Sequence, residues 1–373
     1  MTDGGVTDST LDAVVLAAGE GTRMRSARPK PLHLLCGRAM LLHILDALAE
    51  LPLGRAVVVV GHGAERITKK LTEQGPPRLA IDFVEQAVQR GTGDAALVAL
   101  TAFATEDVDD DTDLVVVPGD TPLLSAATLQ ALVAAHRDGG AAATLLTAEL
   151  ADPTGYGRVV RGRDGRVSYI VEEADASDEE RAITEVATSI SCFRRNVLAP
   201  ALRRLSPENA QGEYYLTDVV HVLHDAGYPV GTVTVEDPGE VMGVNDRAQL
   251  AVAEAALRAR VNDGWLRAGV TMVDPARTYV DTGVELGGDV TLFPGTILQG
   301  RTVVGEGAEV GPDVRLVDCV VGPRAVVSYS VGRDAEIGEG AIVGPYADLP
   351  PGAQVSTGAT TGPFYTPDAG GDT

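Results

Sequence analysis

A six-residue period in the last third of the chain narrows most sharply what this sequence can fold into. Aliphatic residues recur at this spacing, often followed by glycine, at Leu286, Leu292, Leu298, Val304, Val310 and Leu316 and, after a break, at Val331, Ile337, Val343 and Leu349. This hexapeptide pattern is the signature of a short left-handed parallel β-helix, in which three hexapeptides make one coil. The roughly 70 periodic residues predict about four coils.

The first two thirds of the chain follow a different pattern. Between residue 11 and about residue 250, short apolar runs typical of buried strands alternate with helical stretches. The alternation indicates βαβ units and a Rossmann-like α/β domain, with a mostly parallel sheet covered on both faces. We expect this domain over residues 11–246, a linker helix over 247–263 and the β-helix over 264–355, between disordered ends at 1–10 and 356–373.

Composition excludes several kinds of partner. The chain has 30 Lys and Arg against 53 Asp and Glu, a net charge of −23, which makes nucleic acid and anionic membranes poor partners. No apolar run reaches the ~18 residues of a membrane span and the N-terminus has no signal-peptide features, so we expect a cytoplasmic protein. The three cysteines, Cys36, Cys192 and Cys319, are far apart and predict free thiols rather than disulfides or a zinc site.

A glycine-rich turn directly follows the first predicted strand. The segment Leu16–His33 reads LAAGEGTRMRSARPKPLH, and its small residues let backbone N–H groups come close to a phosphate. Arg23 and Lys30 stand on either side of the turn, and the prolines around Lys30 stiffen its segment. Two fixed cations beside such a turn predict a polyphosphate site, which in so acidic a chain must be a local basic island.

Two oxygen-bearing side chains are candidate metal ligands. Asp120 follows the apolar strand pattern Leu114–Val117, so its carboxylate is expected at the carboxyl edge of the sheet, where ligands of such folds bind. Asn245, in the segment GVNDRAQL, offers a second oxygen. One Asp and one Asn, completed by phosphate oxygens and water, suit Mg²⁺. In a nucleotidyl transfer this ion would neutralise charge on the α-phosphate.

Further polar residues follow other predicted strands. Gln86 has both a donor and an acceptor, which match the imide edge of a pyrimidine, and the nearby Gly91 and Gly93 let backbone approach a base. Glu172 ends another strand, where its carboxylate can accept hydrogen bonds from sugar hydroxyls. No Ser-His-Asp or Cys-His grouping indicates a covalent nucleophile.

Six segments in this order resemble the uridyltransferase half of the bifunctional N-acetylglucosamine-1-phosphate uridyltransferase/glucosamine-1-phosphate acetyltransferase family. They are Leu16–His33, Gln86 with Gly91–Gly93, Gly119–Leu123, Asp152–Arg158, Glu213–Asp218 and Gly243–Asn245. The resemblance covers about residues 11–350 and identifies residues 11–246 as a sugar nucleotidyltransferase domain.

The resemblance also implies roles for individual residues. Arg23 and Lys30 would hold the triphosphate and the transferred α-phosphate, and Asp120 and Asn245 would bind Mg²⁺. Uracil would lie against Leu16, Ala17, Ala18, Gly19, Gln86, Gly91 and Thr92, and the sugar against Gly157 and Glu172. The reaction would be an in-line attack of a sugar-1-phosphate oxygen on the α-phosphorus of UTP, with pyrophosphate leaving.

Two departures from the family pattern bear on function. An Asn that touches the N-acetylated sugar in the family is Ala187 here, in Ala187-Thr188-Ser189, and loss of this contact is expected to relax or change sugar specificity. The family's acetyltransferase site needs later coils, and an Arg near its start is Pro350 here. We therefore expect no acetyltransferase activity and interpret the short β-helix as an assembly element, for example of a homotrimer.

Several alternatives stay open from the sequence. The nucleotide could be dTTP, which shares the imide edge of uracil, or GTP, and the acceptor could be a different sugar or a pseudosugar phosphate. A protein of another class, a non-catalytic nucleotide-sugar-binding regulator, would not need all of Arg23, Lys30, Asp120 and Asn245. An acyltransferase working through the β-helix alone is disfavoured, because residues 264–373 contain no histidine.

Overall fold

The computed structural model describes residues 11–103 and 112–367, which divide into two compact units. Residues up to His33 together with 39–249 form the first unit, and residues 34–38 together with those from Leu250 onward form the second. The predicted disordered end at residues 1–10 lies outside the described residues.

The first two thirds of the chain alternate strands and helices. The strands are β1 (Leu11–Ala17), β2 (Leu34–Leu35), β3 (Arg38–Ala39), β4 (Leu53–Val60), β5 (Ile81–Glu85), β6 (Asp113–Pro118), β7 (Ala143–Glu149), β8 (Gly157–Arg161), β9 (Val167–Val171), β10 (Glu185–Arg194) and β11 (Val230–Thr234). The helices are α1 (Met40–Leu48), α2 (Ala64–Gln74), α3 (Thr92–Leu100), α4 (Ala126–Gly139), α5 (Asp178–Arg181), α6 (Arg195–Leu202), α7 (Asp218–Asp225) and α8 (Arg247–Arg267).

One mixed sheet organises the first unit, in the order β11-β7-β10-β6-β1-β4-β5. Strands β6, β1, β4 and β5 are parallel neighbours, whereas β10 runs antiparallel to both β6 and β7. Strand β8 pairs with the start of β10 and, on its other side, with β9. The parallel strands end at one edge, which brings the segments after β1, β5 and β6 together.

The sheet is covered on both faces, because its central strands are apolar on both sides. In β1, Ala13 and Val15 pack into the core of one face, and Val14 packs into the core of the other. Fully buried parallel strands of this kind are nearly continuous aliphatic runs. The predicted Rossmann-like, mostly parallel sheet is confirmed.

The second unit is a left-handed parallel β-helix, as predicted. Up to residue 367 its three parallel sheets each have five short strands, which make five coils rather than about four. The strands are β12 (Thr271–Met272), β13 (Tyr279–Val280), β14 (Glu285–Leu286), β15 (Thr291–Leu292), β16 (Ile297–Gln299), β17 (Val303–Val304), β18 (Glu309–Val310), β19 (Arg315–Val317), β20 (Val320–Val321), β21 (Val326–Val327), β22 (Val331–Arg333), β23 (Glu336–Ile337), β24 (Ile342–Val343), β25 (Asp348–Leu349) and β26 (Gln354–Val355).

The structure corrects the register of the repeat at its break. Val331, predicted as a member of the buried set, is 48% exposed, and Gly332 takes the inward position between Leu316 and Leu349. A Cβ on Gly332 would lie 3.0 Å from Cδ2 of Leu316, so the neighbouring leucine fills that place. Some turns between strands are one residue shorter than the six-residue period assumes, and this shifts the inward position.

The predicted disorder from residue 356 onward differs from the structure over residues 356–367. Thr360 pairs with Ile342 as a further step of the β-helix, and Tyr365 packs against its core. The prediction was wrong because it rested on the many small and polar residues of the segment, although Tyr365 adds apolar area that can be buried against the β-helix. Residues 368–373 lie outside the described part of the chain.

Three simpler expectations concern single elements. The linker helix, predicted over 247–263, extends to Arg267 as α8. Cys36, Cys192 and Cys319 are free and buried, as predicted. None of the helices in the described ranges combines the length and apolar character that a bilayer span requires.

Candidate active site

Strand β1 ends in a glycine-rich turn that lines the larger of two adjoining cavities. Leu16, Ala17, Ala18 and Gly19 all face this cavity, whose volume is about 600 Å³. Gly21 has φ +64, and a Cβ there would lie 2.6 Å from Cβ of Lys30. Only glycine accommodates both the left-handed backbone and the close approach, so the chain folds back and brings Lys30 beside the turn.

Lys30 lies between two oxygen atoms from distant parts of the sequence. Its Nζ is 2.5 Å from Oδ2 of Asp120 and 2.8 Å from Oδ1 of Asn245. Arg23 donates from Nη2 to the same Asn245 oxygen over 3.0 Å. The side chains of Lys30 and Asp120 are only 13% and 27% exposed, so solvent screens their attraction less than that of a surface pair. Two cations and one carboxylate therefore meet at one point.

The backbone also holds Asp120 and Asn245 in place. Gly119, which separates β6 from Asp120, donates its N–H to the carbonyl oxygen of Leu16 over 2.8 Å. The N–H of Val244 donates to the carbonyl oxygen of Asp120, again over 2.8 Å. These bonds fix the segments that carry the two side-chain oxygens, so their approach to Lys30 does not depend on the ion pair alone.

The oxygens of Asp120 and Asn245 fit a hard divalent cation. The ammonium group of Lys30 lies within hydrogen-bond distance of both, so the two oxygens converge on one positive charge. Few protein oxygens, with other positions left to phosphate and water, are what Mg²⁺ takes. Over residues 11–103 and 112–367, no group of three or more His, Cys, Asp or Glu side chains could hold a metal ion.

The opposite wall of the larger cavity carries Gln86, Gly91 and Thr92. Gln86 is 4% exposed, and its Nε2 donates to Oδ2 of Asp94 over 2.7 Å and to the carbonyl oxygen of Gly91 over 3.2 Å. Gly91 has φ +104, and a Cβ there would lie 2.5 Å from the carbonyl oxygen of Tyr214. The wall is therefore a closely packed backbone surface with one buried amide in it.

The smaller cavity, of about 170 Å³, adjoins the larger one. Asp120, Glu172 and Ala187 line both, and Gly157 and Asn245 line the smaller one. Gly157 and Ala187 are direct cross-strand partners between β8 and β10. This pairing explains why three short segments with no local similarity form one surface.

Glu172 is a charged group that lines both cavities. Thr217 donates its hydroxyl to Oε1 of Glu172 over 2.8 Å. Burial raises the pKa of Glu172, the hydrogen bond from Thr217 opposes this, and the charge of Asp175 adds to it. Burial, followed by the charges of Glu172 and Asp175, also raises the pKa of Asp218 to about 6. The end near Gly157 is thus acidic, whereas the end near Lys30 is basic.

Arg158 holds the turn that precedes Gly157. Its side chain is almost fully buried, its Nη1 donates to the carbonyl oxygen of Tyr156, and its Nη2 is 2.6 Å from Oε2 of Glu173. The same Glu173 oxygen accepts from the N–H of Gly155 over 3.4 Å. Both ends of the turn are therefore tied to one buried guanidinium and its carboxylate partner.

Comparison with known proteins identifies the relatives of this site. Residues 13–223 match the MobA-like NTP transferase domain. The "Bifunctional protein GlmU" of Thermobifida fusca is 50% identical over 325 residues, which are 87% of this chain and 66% of that protein. The proteins of the same name from Streptomyces avermitilis and Shouchella clausii are 47% and 42% identical over 352 residues, or 94% of this chain and 72% and 75% of theirs.

The chain belongs to the GlmU family. It spans about two thirds to three quarters of the length of these relatives. Its NTP transferase domain contains the glycine-rich turn, Lys30 and Asp120, so this GlmU-family chain is a nucleotidyltransferase. The resemblance inferred from the sequence segments is confirmed.

The predicted site residues differ in which of the two cavities they line. Leu16, Ala17, Ala18, Gly19, Gln86, Gly91, Thr92, Lys30, Asp120, Glu172 and Ala187 line the larger cavity, while Gly157 and Asn245 line the smaller one. Arg23 lines neither and reaches the site through Asn245. The Oγ1 of Thr92 accepts from the N–H of Leu216 over 3.0 Å, which assigns this hydroxyl a role in fixing the wall.

Sequence reasoning did not single out three residues in or beside the two cavities. Asp94 holds the amide of Gln86, and Thr217 donates to Glu172. Ser189 lines both cavities with its side chain exposed and its φ at +61, a backbone conformation that a serine rarely adopts. The segments around Asp94 and Thr217 were recognised as motifs, but nothing in their spacing indicates which side chain contacts which.

Proposed function

We propose that this chain transfers a uridylyl group from UTP to a sugar-1-phosphate and releases pyrophosphate, with N-acetylglucosamine-1-phosphate or a related sugar phosphate as acceptor. The observation that carries the proposal is the position of the Lys30–Asp120 pair. Asp120 lines both cavities, and Lys30 is 2.5 Å from it. A nucleotide in the larger cavity and a sugar phosphate at its other end would bring their phosphates together here.

The proposed reaction requires that the two substrates are positioned and that their phosphate charges are neutralised, and it requires no nucleophilic side chain. An oxygen of the sugar-1-phosphate forms a bond to the α-phosphorus of UTP, and the bond from this phosphorus to the bridging oxygen of the β-phosphate breaks. Lys30 and Arg23 would neutralise the charge on the transferred phosphoryl group and on the departing pyrophosphate. Because the attacking phosphate oxygen is already ionised near neutral pH, no general base is required.

Asp120 and Asn245 would hold Mg²⁺, which would add positive charge at the phosphate oxygens. The side chain of Lys30 would then turn from these oxygens towards phosphate, over a distance that a flexible four-carbon side chain covers. Asp120 thereby serves two purposes, since it keeps Lys30 at the site before nucleotide arrives.

The sugar would lie between Gly157, Glu172 and Ala187. Glu172 would accept hydrogen bonds from sugar hydroxyls, oriented by the hydroxyl of Thr217. Ala187 offers only a methyl group, and the exposed hydroxyl of Ser189 stands two residues away. A site with few fixed polar partners discriminates weakly between related sugars, so acceptors with and without an N-acetyl group are both candidates.

The test is pyrophosphate release by purified protein with Mg²⁺, across a grid of nucleoside triphosphates and sugar-1-phosphates. Turnover with UTP and N-acetylglucosamine-1-phosphate is the expected result. Turnover only with another pair, such as dTTP or a non-acetylated sugar phosphate, would replace the substrates but keep the reaction. Nucleotide binding without release from any pair would favour a nucleotide-sugar-binding regulator.

We also propose that the β-helix serves assembly, as in a homotrimer, rather than acyl transfer. Supporting this, the ring of Tyr346 lies against two other aromatic rings, tilted to Tyr329 at a centroid distance of 5.8 Å and stacked on Phe364 at 5.2 Å. Tyr329, Tyr346 and Phe364 are 42%, 56% and 76% exposed. Exposed apolar surface of this kind is typical of protein contacts. Light scattering of the purified chain would give the mass of three copies, whereas a monomer mass at micromolar concentration would exclude the trimer.

A further inference from the structure

We infer that Asp94 is a specificity-determining positioning residue, which orients the amide of Gln86 so that the nucleotide cavity selects a base with an N–H donor on its pairing edge. The inference rests on the proposed function, because it concerns the base of the nucleotide that would bind there. It adds to that function the residue that sets the choice between uracil and cytosine.

The side-chain amide of Gln86 is buried, and its neighbours fix its orientation. A glutamine side chain has an NH₂ group at one corner and a carbonyl oxygen at the other, and its surroundings decide which corner faces which way. The corner assigned to Nε2 faces Oδ2 of Asp94 at 2.7 Å and the carbonyl oxygen of Gly91 at 3.2 Å. Both neighbours are acceptors only, so an oxygen in this position would be repelled by both. The NH₂ group must therefore point towards Asp94.

The orientation of the amide leaves the Gln86 carbonyl oxygen free for a ligand. The two N–H bonds of Gln86 are used by Asp94 and Gly91, which leaves Oε1 as its free polar atom. Within residues 11–103 and 112–367, no group donates to this oxygen, and it is absent from the fully buried polar atoms that lack a partner. Since Gln86 lines the larger cavity, Oε1 is open to it. Towards a ligand in the cavity, Gln86 therefore acts only as a hydrogen-bond acceptor.

The Gln86 carbonyl oxygen distinguishes bases by the group at their N3 position. Uracil and thymine carry a hydrogen on N3, which can donate to Oε1. Cytosine has a lone pair on N3, so the same pose would set a lone pair against the carbonyl oxygen of Gln86. A buried polar group left without a partner costs about 1–3 kcal/mol, which is on the order of tenfold or more in affinity. A glutamine free to turn its amide over would serve both bases.

Asp94 is well placed to keep this orientation permanently. It lies in the first turn of α3, the helix capped by Gly91, where a carboxylate is stabilised by the N-terminal end of the helix. An ionised carboxylate cannot donate, so it excludes the turned amide as long as it is charged. Asn in its place would accept from or donate to Gln86 equally well.

The experiment measures the affinities of UMP and CMP by calorimetry, which does not require turnover. Wild-type protein should bind UMP at least about tenfold more tightly than CMP. In Asp94→Asn this preference should fall to near unity, chiefly because CMP binds more tightly. Asp94→Ala, which removes the acceptor altogether, should also reduce the preference and serves if the first variant folds poorly.

Glu85→Gln is the matched control. Glu85 is the exposed last residue of β5, so this change removes one negative charge beside Gln86 without touching its amide. The preference for UMP should be unchanged in this variant. An equal preference for UMP in wild type and in both Asp94 variants would overturn the inference, as would equal loss of both nucleotides. Failure of the proposed reaction would instead appear as UMP binding without pyrophosphate release from UTP.

Discussion

Around Lys30, where we propose that the phosphates bind, the polar side chains are paired with one another, whereas Ala187, beside which we propose that the sugar binds, offers only a methyl group. Lys30 contacts both Asp120 and Asn245 within 2.8 Å, and backbone hydrogen bonds fix the segments that carry these two oxygens. At the other end Ala187 contributes no polar group, and Glu172 has one hydroxyl partner, Thr217. If phosphate and sugar bind at these two ends as proposed, the phosphate end determines whether the reaction occurs and the sugar end determines which acceptor enters.

The largest expected effect comes from removing the charge of Lys30. Lys30→Ala should lower kcat by about 100- to 1,000-fold, because a charge that is preorganised in a partly buried site contributes this much to a transition state. Steady-state kinetics with UTP and the best acceptor of the grid measures it. Lys69→Ala is a suitable control, since the Lys69 side chain is 76% exposed on α2. An undiminished kcat in Lys30→Ala would place the chemistry elsewhere.

A smaller effect is expected from Asp120. Asp120→Asn keeps the shape of the side chain and removes its charge, so kcat should fall about 10- to 100-fold. The Mg²⁺ concentration needed for half-maximal rate should rise in parallel, because a neutral oxygen is a weaker ligand of this ion. A titration of activity with Mg²⁺ separates the two effects. If kcat falls while the Mg²⁺ dependence keeps its midpoint, Asp120 acts only by holding Lys30.

The sugar end should respond in selectivity rather than in rate. Ala187→Asn introduces an amide beside Gly157, its cross-strand partner. The ratio of kcat/KM for N-acetylated over non-acetylated sugar phosphate should rise by about 3- to 10-fold, the worth of one added hydrogen bond. The KM for UTP should stay as it is in wild type. A change in the KM for UTP as large as that for the sugar would contradict the separation of the two ends.

The smallest effect concerns stability and depends on pH. The pKa of Asp218 is raised to about 6 by burial and by Glu172 and Asp175, so the ionised carboxylate destabilises the folded state above that pH. Asp218→Asn should raise the free energy of unfolding at pH 7 by about 1 kcal/mol after allowance for solvent screening. Because the folded protein takes up the proton first, this gain should disappear as the pH falls from about 7 towards 4.

Urea unfolding of wild type and Asp218→Asn at several pH values measures this difference. An equal gain at pH 7 and near pH 4 would show that the effect of the substitution is packing rather than charge. A gain confined to neutral pH would show that the ionised carboxylate of Asp218 is disfavoured by burial and repelled by Glu172 and Asp175 in the folded protein.

Much of the fold follows from patterns that are local in sequence. The aliphatic run in β1, the glycines after it and the six-residue period of the β-helix each reflect one element and its burial. The errors arose where neighbours decide the outcome. Val331 has the right chemistry for an inward position, yet shortened turns put Gly332 there. Residues 356–367 look polar and flexible, but Tyr365 packs against the core of the preceding coils.

The candidate site could be predicted as a set of residues but not as a set of contacts. Lys30 was recognisable from the glycine-rich segment that carries it. Asp120 was recognisable from its position after β6, because parallel strands end at one edge. The donation from Gln86 to Asp94 could not be predicted, since it depends on how the backbone of Gly91 packs against Tyr214. The orientation of a side chain depends on neighbours that the fold brings together, and the order of residues in the sequence does not show which of them will be in contact.

The most direct test of the central claim is to follow the α-phosphate of UTP. Protein, Mg²⁺ and an accepted sugar-1-phosphate are incubated with UTP labelled at the α-phosphorus or, separately, at the γ-phosphorus. The α-label should appear in the nucleotide sugar and the γ-label in pyrophosphate, both lost in Lys30→Ala. Label from the γ-position in inorganic phosphate or in the sugar, with none from the α-position in a nucleotide sugar, would contradict nucleotidyl transfer at this site.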